Sequence, residues 1–243
     1  MMITGKNSVY EAISGGKTVD KLLVSKTNYD KATNEIIALA REKGIKIVFA
    51  DKYLLDKTAA GVKHQGVLCF TSEFVYCELS DILNIAEQKK EEPFVLLLDG
   101  ISDPHNLGAI LRSAECAGVH GVVIPKNRAV SVNDTVIRVS EGAAMHVPVA
   151  RVTNINDAIK YLKDNFINVY CADMDGKTMY DVDFKGAVAL VIGGEGSGVK
   201  RRTKELSNGS VSIPLLGKIN SLNASNAAAI AIYEVVRQRK YAL

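Results

Sequence analysis

Apolar and polar positions follow two rhythms along this chain. Short β-rich runs at 21–25, 45–50 and 66–71 are interleaved with stretches at 8–14 and 28–43, whose apolar residues recur at helical spacing. This predicts a compact α/β unit at the N-terminus. From residue 94 the runs become more strongly apolar. Segments 94–98, 121–124, 147–149, 168–172, 187–192 and 210–213 alternate with helical stretches, and a last helix is predicted over 222–240. Near-continuous apolar strands separated by helices predict a parallel sheet covered on both faces. Between the two regions, residues 80–92 contain ILNIAEQKKEE, an amphipathic helix or a charged linker. The expected organisation is a small α/β domain at 1–76, a linker at 77–93 and an α/β domain at 94–243.

With 243 residues, 47% of them apolar and 23% charged, the chain has the composition of a folded globular protein rather than a disordered one. Net charge is +3, and residues 1–76 hold 11 Lys and Arg against 8 Asp and Glu, whereas the remainder is balanced. A basic first module is compatible with phosphate binding and equally with a solvated lysine-rich surface. Cys69, Cys77, Cys116 and Cys171 are scattered and are expected to be reduced thiols, with no metal site. The first residues lack the apolar core of a signal peptide, and no apolar run is long enough to cross a membrane. A cytoplasmic location and no membrane partner are therefore expected.

Three segments carry candidate chemistry. Asp99-Gly-Ile-Ser-Asp103-Pro-His-Asn106-Leu-Gly108, with Arg112 further on, follows a strand, and open α/β sheets bind ligands at the carboxyl ends of strands. Asp103 before Pro104 makes a good helix start, so the same residues also fit a bare cap with Arg112 paired to Glu115. Val191-Ile-Gly193-Gly194-Glu195-Gly196-Ser-Gly198 fits neither the dinucleotide fingerprint nor the phosphate loop, because Val199 stands where the latter needs lysine. Its glycines permit close backbone approach, or simply a turn with Glu195 as a cap. In Ile213-Pro-Leu-Leu-Gly217-Lys-Ile-Asn-Ser221-Leu222-Asn223-Ala-Ser225, small polar residues crowd a helix entrance, and either Ser221 or Asn223 fits as its cap.

In this order, D-x-x-x-D-P-x-N-x-G-x-x-x-R, V-I-G-G-E-G-x-G and I-P-L-x-G-x-x-x-S-L-N-x-S-x-A resemble the three motifs of the SpoU (TrmH) ribose methyltransferases. Gly5-Lys-Asn-Ser-Val9-Tyr-Glu-Ala and His64-Gln-Gly66-Val are similar to that family's substrate-binding domain, which resembles ribosomal protein L30e. Asn7 departs from the histidine that many relatives carry. The resemblance implies a SPOUT-type parallel sheet with a deep trefoil knot and a homodimer formed around it. It implies S-adenosylmethionine as cofactor, touching Gly193, Gly194, Glu195, Gly196, Ile213 and Leu222. It places Arg112, Asn106, Glu195, Ser221 and Asn223 in the catalytic set, with no metal.

The reaction implied is methylation of a ribose 2′-hydroxyl, most closely a guanosine of bacterial 23S rRNA, on naked rRNA or on a large-subunit assembly intermediate. Arg112 holds the family's position for activating the hydroxyl. A guanidinium keeps its proton at any ordinary pH, so positioning a phosphate and stabilising charge is its better-founded role. Backbone groups can satisfy the adenine edge, and no acidic ribose clamp is expected. Lysines 6, 17, 21, 26, 31, 43, 46, 52, 57 and 63, with Tyr10, Tyr29 and Tyr53, are candidates for gripping RNA. A tRNA ribose methyltransferase and a catalytically degenerate RNA-binding assembly factor are the alternatives, and the failed fingerprint disfavours a nucleotide-dependent oxidoreductase.

Overall fold

The computed structural model describes every residue except Met1, residues 16–18, 28–29 and 72–73, Glu195, Ser197 and residues 242–243. The chain divides into two units, Met1–Val75 and Tyr76–Leu243.

The first unit runs β1 (Met2–Thr4), α1 (Lys6–Ser14), β2 (Val19–Ser25), α2 (Lys31–Glu42), β3 (Lys46–Ala50), α3 (Lys52–Ala59) and β4 (Val67–Thr71). Its strands lie in the order β1-β4-β2-β3, with β2 parallel to β3 and antiparallel to β4. Side chains alternate across a strand, so Leu22 and Val24 join Val9, Ile13, Ile36 and Ala40 on one face. Leu23 joins Leu55, Ala59 and Leu68 on the other. Strand β1 and helix α3 escape the periodicity because both are short; α3 is set by its cap, the Asp51 carboxylate accepting from Leu54 N at 2.8 Å. Helix α2 begins at Lys31 because Asp30 caps it, accepting from the backbone and hydroxyl of Thr33.

The second unit comprises α4 (Leu79–Lys89), β5 (Phe94–Asp99), α5 (Pro104–Cys116), β6 (Gly121–Pro125), α6 (Asp134–Val139), β7 (Val149–Val152), α7 (Ile155–Asp164), β8 (Asn168–Thr178), β9 (Val188–Gly193), α8 (Arg201–Leu206), β10 (Gly209–Ser212) and α9 (Ala224–Lys240). Its sheet is parallel at every pairing, in the order β10-β8-β9-β5-β6-β7. One face is covered by α4, α7 and α8 through Ile82, Ile155, Ile159, Leu162 and Leu206, with Val199 before α8 in the same cluster. Helix α5 packs against α6 and α9. The strand expected at 147–149 starts two residues later, because Pro148 has no N–H to give the ladder; its carbonyl instead accepts from Val122 N at 2.9 Å.

Residues 77–93, expected as a linker, are an integral part of this unit. Ile82 of α4 is fully buried against the sheet, and a Cβ on Gly121 would stand 2.4 Å from its Cδ1. Cys77 also bridges to Ala150, extending the sheet edge. At the start of the central strands β5 and β9, Arg239 of α9 donates to the carbonyls of Phe184, Glu92, Pro93 and Gly186 and lies over the Phe94 ring. Five N–H groups in a rigid fork suit arginine to such a carbonyl cluster, which ties the C-terminal helix to the start of the central strand.

His120, 2% exposed, accepts from Phe94 N on Nδ1 at 3.0 Å, which leaves Nε2 to donate to Glu91 at 3.1 Å. Burial holds its pKa below the ordinary 6.5, the Glu91 hydrogen bond opposing only in part. The unfolded chain therefore takes up a proton here before the native state does, and stability must fall as pH drops below about 6.5. Urea unfolding at neutral pH and at about pH 5.5 is expected to show this loss, and His120→Asn, which keeps an acceptor for Phe94 N, should reduce it.

Candidate functional site

A cavity of about 550 Å³ opens beside the middle of β8 and the carboxyl ends of β9 and β10, within the size range of small-molecule sites. Its walls are Ala172–Met174 of β8, the glycine loop after β9, Val211 and Ile213 at the end of β10, and the segment Asn220–Ala224 that enters α9. Gly193, Gly194, Gly196, Ile213, Ser221, Leu222 and Asn223, all singled out in the sequence, line it together. Glu195 lies outside the described residues.

The glycine loop is built on Asp99. This carboxylate ends β5 with its side chain 1% exposed, and it accepts from Lys200 N at 3.3 Å, Thr203 Oγ1 at 3.1 Å and Lys200 Nζ at 2.5 Å. Its backbone carbonyl accepts from Gly194 N at 3.0 Å, and Gly198 N returns to Gly194 O at 3.0 Å, closing the loop on itself. Two glycines are demanded by neighbouring backbone: a Cβ on Gly193 would stand 2.2 Å from the carbonyl carbon of Gly198, and one on Gly194 would stand 2.4 Å from Gly100 O. Both wall positions are thus free of side chains because the main chain folds tightly there. Backbone groups remain at the cavity surface, the arrangement an adenine edge or a carboxylate needs.

Across the cavity, Asn223 caps α9, its carbonyl oxygen accepting from Ser225 N, Asn226 N and Ser225 Oγ. Its amide donates to Oδ1 of Asn106, 6% exposed in the first turn of α5, at 2.9 Å. Asp103 caps α5 as expected, accepting from His105 N. The cap readings of Asp103 and Asn223 are therefore correct, and Asn223 does more: it joins the first and third motifs. Ser221 is an exposed wall residue and not the cap.

Arg112 stands apart. It lies with His105 and Cys116 on the exposed side of α5, does not line the cavity, and among the described residues has no side-chain hydrogen bond or ion pair, Glu115 included. The residue that sequence reasoning missed is Asp173, a carboxylate in the cavity wall; its signal was the D-x-D-G turn pattern at Asp173–Gly176, interrupting a β-rich stretch. In the first unit the two N-terminal motifs meet: Gly5 N donates to Val67 O, and Lys6 N donates to Gln65 Oε1, both at 3.1 Å. Of the lysines expected to grip RNA, Lys6 is paired to Asp30, and Lys21 lies over the Phe70 ring. Lys17 and Tyr29 lie outside the described residues.

Two family profiles match the chain. The SpoU rRNA methylase family covers residues 93–233, and the RNA 2′-O ribose methyltransferase substrate-binding family covers residues 2–77. YacO of Bacillus subtilis, designated a TrmH-family tRNA/rRNA methyltransferase, is 40% identical over 238 residues, covering 98% of this chain and 95% of its own. A Staphylococcus aureus protein of the same designation is 39% identical over 239 residues, covering 98% and 96%. Among solved structures, the SpoU methyltransferase AviRb of Streptomyces viridochromogenes, crystallised with the cofactor AdoMet, superposes with a TM-score of 0.62 at 26% identity, covering 98% of this chain and 90% of that one.

The double role of Asn223 can be separated. Asn223→Ala is expected to lower the unfolding free energy by about 1–3 kcal/mol, from a lost cap and a lost part-buried hydrogen bond. Asn223→Asp keeps the cap but cannot donate to Asn106, so it should recover a fraction only. Urea unfolding of the two variants measures the split, and an aspartate variant no better than alanine would remove the capping role.

Proposed function

The chain belongs to the SpoU rRNA methylase family and is an RNA methyltransferase; on that footing we propose that it methylates a ribose 2′-hydroxyl, with a guanosine of bacterial 23S rRNA as the target. The observation that carries the reading is the cavity, in which the second and third motifs form one wall system and the first is tied to it through Asn106 and Asn223. S-adenosylmethionine supplies an electrophilic methyl group on its sulfonium when bound. The residues present fit that donor: a cradle of glycine backbone for polar edges, and Val211, Ile213, Leu215 and Leu222 for the face of a base.

Within this reading the chain's residues divide the work. The glycine loop and residues 213–222 hold the cofactor, with Glu195 a further member of that loop by family resemblance. Asn106 and Asn223, locked to each other, fix the floor where the ribose enters, and Ser221 offers a hydroxyl at the same mouth. Arg112, exposed and unengaged, binds the phosphate beside the reacting ribose and stabilises charge there, as a permanent cation can. Alignment of reactants is worth about 7–11 kcal/mol of barrier, which places most of the catalytic burden on the rigidity of these loops.

The same reading includes a homodimer and the trefoil knot of the family. Ile230 and Tyr233, 37% and 50% exposed on the outer face of α9, support a partner on that helix, and Arg112 on the outer face of α5 then stands free to complete the partner's cavity. The substrate-binding match of the first unit and its basic balance support RNA as the substrate. No described helix is long and apolar enough to cross a membrane, and a cytoplasmic setting accords with an RNA substrate.

Transfer of a labelled methyl group from S-adenosylmethionine to unmodified 23S rRNA, with mapping of ribose methylation, tests the proposal. A single 2′-O-methylguanosine is expected. Arg112→Ala should lower kcat about a hundredfold or more with cofactor affinity little changed, because in this reading Arg112 serves the substrate phosphate and forms none of the walls that hold the cofactor. Transfer to tRNA alone would replace the target, and failure to bind S-adenosylmethionine would overturn the reading altogether.

A further inference from the structure

Asp173 carries the only ionisable side chain among the described residues that line the cavity. It reaches the wall through an irregularity of the sheet. Strand β10 pairs Ser210 with Cys171 and its next residue, Val211, with Lys177, so residues 172–176 arch away from their neighbour. The far end of the arch is pinned at Gly176, where a Cβ would stand 2.5 Å from the backbone of Ser210 and Val211, and where Ser212 Oγ donates to the carbonyl at 2.9 Å. The near end is pinned by Asp173 itself. Its Oδ1 accepts from Asp175 N at 3.2 Å, and its Oδ2 is paired with the ammonium of Lys204 on α8.

The carboxylate is therefore held in place, 13% exposed, with two partners for about four acceptor sites. Its charge is already balanced by Lys204, so a second cation gains little by approaching it. Neutral donors do not meet that difficulty. A ribose 2′,3′-diol presents two adjacent O–H groups, and a carboxylate can accept from both at once. The other walls supply backbone groups, apolar side chains and the neutral polar side chains of Asn220, Ser221 and Asn223, which leave a diol without an anionic acceptor.

We propose that Asp173 accepts hydrogen bonds from the ribose hydroxyls of the bound cofactor, with Lys204 as the positioning residue that fixes the carboxylate. The expectation that no acidic ribose clamp is needed is replaced by a clamp carried on an arch of β8. This inference rests on the reading of the cavity as the S-adenosylmethionine site.

Calorimetric titration of the full chain with S-adenosylhomocysteine, 5′-methylthioadenosine and 5′-methylthio-2′-deoxyadenosine tests it without turnover. Asp173→Asn is expected to weaken the two ribose ligands about tenfold or more, and to leave the deoxy ligand, already weak on the unmodified protein, with much less further loss. Lys204→Met, which keeps the carboxylate, should weaken the ribose ligands less than Asp173→Asn does. Equal losses for ribose and deoxyribose ligands, or equal losses in the two variants, would make the pair merely structural and overturn the proposal. A loss confined to S-adenosylhomocysteine would assign the carboxylate to the amino-acid end, also overturning it. If the unmodified protein binds none of the three, the cofactor reading itself fails; if it binds all three and Asp173→Asn binds them as tightly, only the ribose clamp fails.

Discussion

A carboxylate buried at the end of a central strand must find donors, because an ion taken out of water without partners is strongly destabilising. Asp99 finds them on the segment that follows β9, and this requirement shapes the methyltransferase unit. Lys200 is 59% exposed, so its Coulombic attraction is screened by solvent. The hydrogen bonds from Lys200 N and Thr203 Oγ1 are less exposed, and they offset the desolvation of the carboxylate. Since those donors come from the first residues of α8 and its cap, satisfying Asp99 also fixes where the chain must turn after β9. The glycine loop is what remains when that turn is made in too little space for side chains.

The third wall depends on how α9 is anchored at both ends. At its N-terminus Asn223 satisfies the orphan amides of the first turn and simultaneously reaches Asn106. Towards its C-terminus, Gln238 exchanges hydrogen bonds with Phe184 N and Val182 O, and Arg239 gathers four carbonyls. Burial depresses the guanidinium pKa of Arg239, yet a group so strongly basic stays charged and keeps all its donors. A helix held at each end cannot slide, so the segment leading into it closes the cavity in one position.

Rigidity in these walls contrasts with the exposure of Arg112, Leu216 and Ile219, the last two 100% and 79% exposed. The buried polar contacts gather around the cavity walls, whereas these side chains stand open to solvent. That division suits the proposed reading, in which a small ligand fills the cavity and an RNA is met by surfaces beyond it.

Much of this was legible in the sequence. Strong apolar runs at helical intervals can pack only as a covered parallel sheet, and the motifs after β5, β9 and β10 fall at strand ends because that is where turn residues interrupt apolar runs. Asp103-Pro104 and Asn223 announce helix starts through local chemistry alone, and the ordered motifs identify the family. Local sequence could not show that Leu79–Lys89 pack as a helix under Gly121, because a charged amphipathic segment reads alike as linker or helix until its apolar stripe meets a sheet. Nor could it show that Asn106 and Asn223, 117 positions apart, share a hydrogen bond, or that Arg112 faces away from the cavity its motif helps to build. Asp173 was the least legible residue. An aspartate in a turn-like D-x-D-G pattern reads as a surface bend, and it becomes part of a cavity wall because β10 pairs on either side of it and forces the arch inward, a contact between strands that no periodicity within one strand encodes.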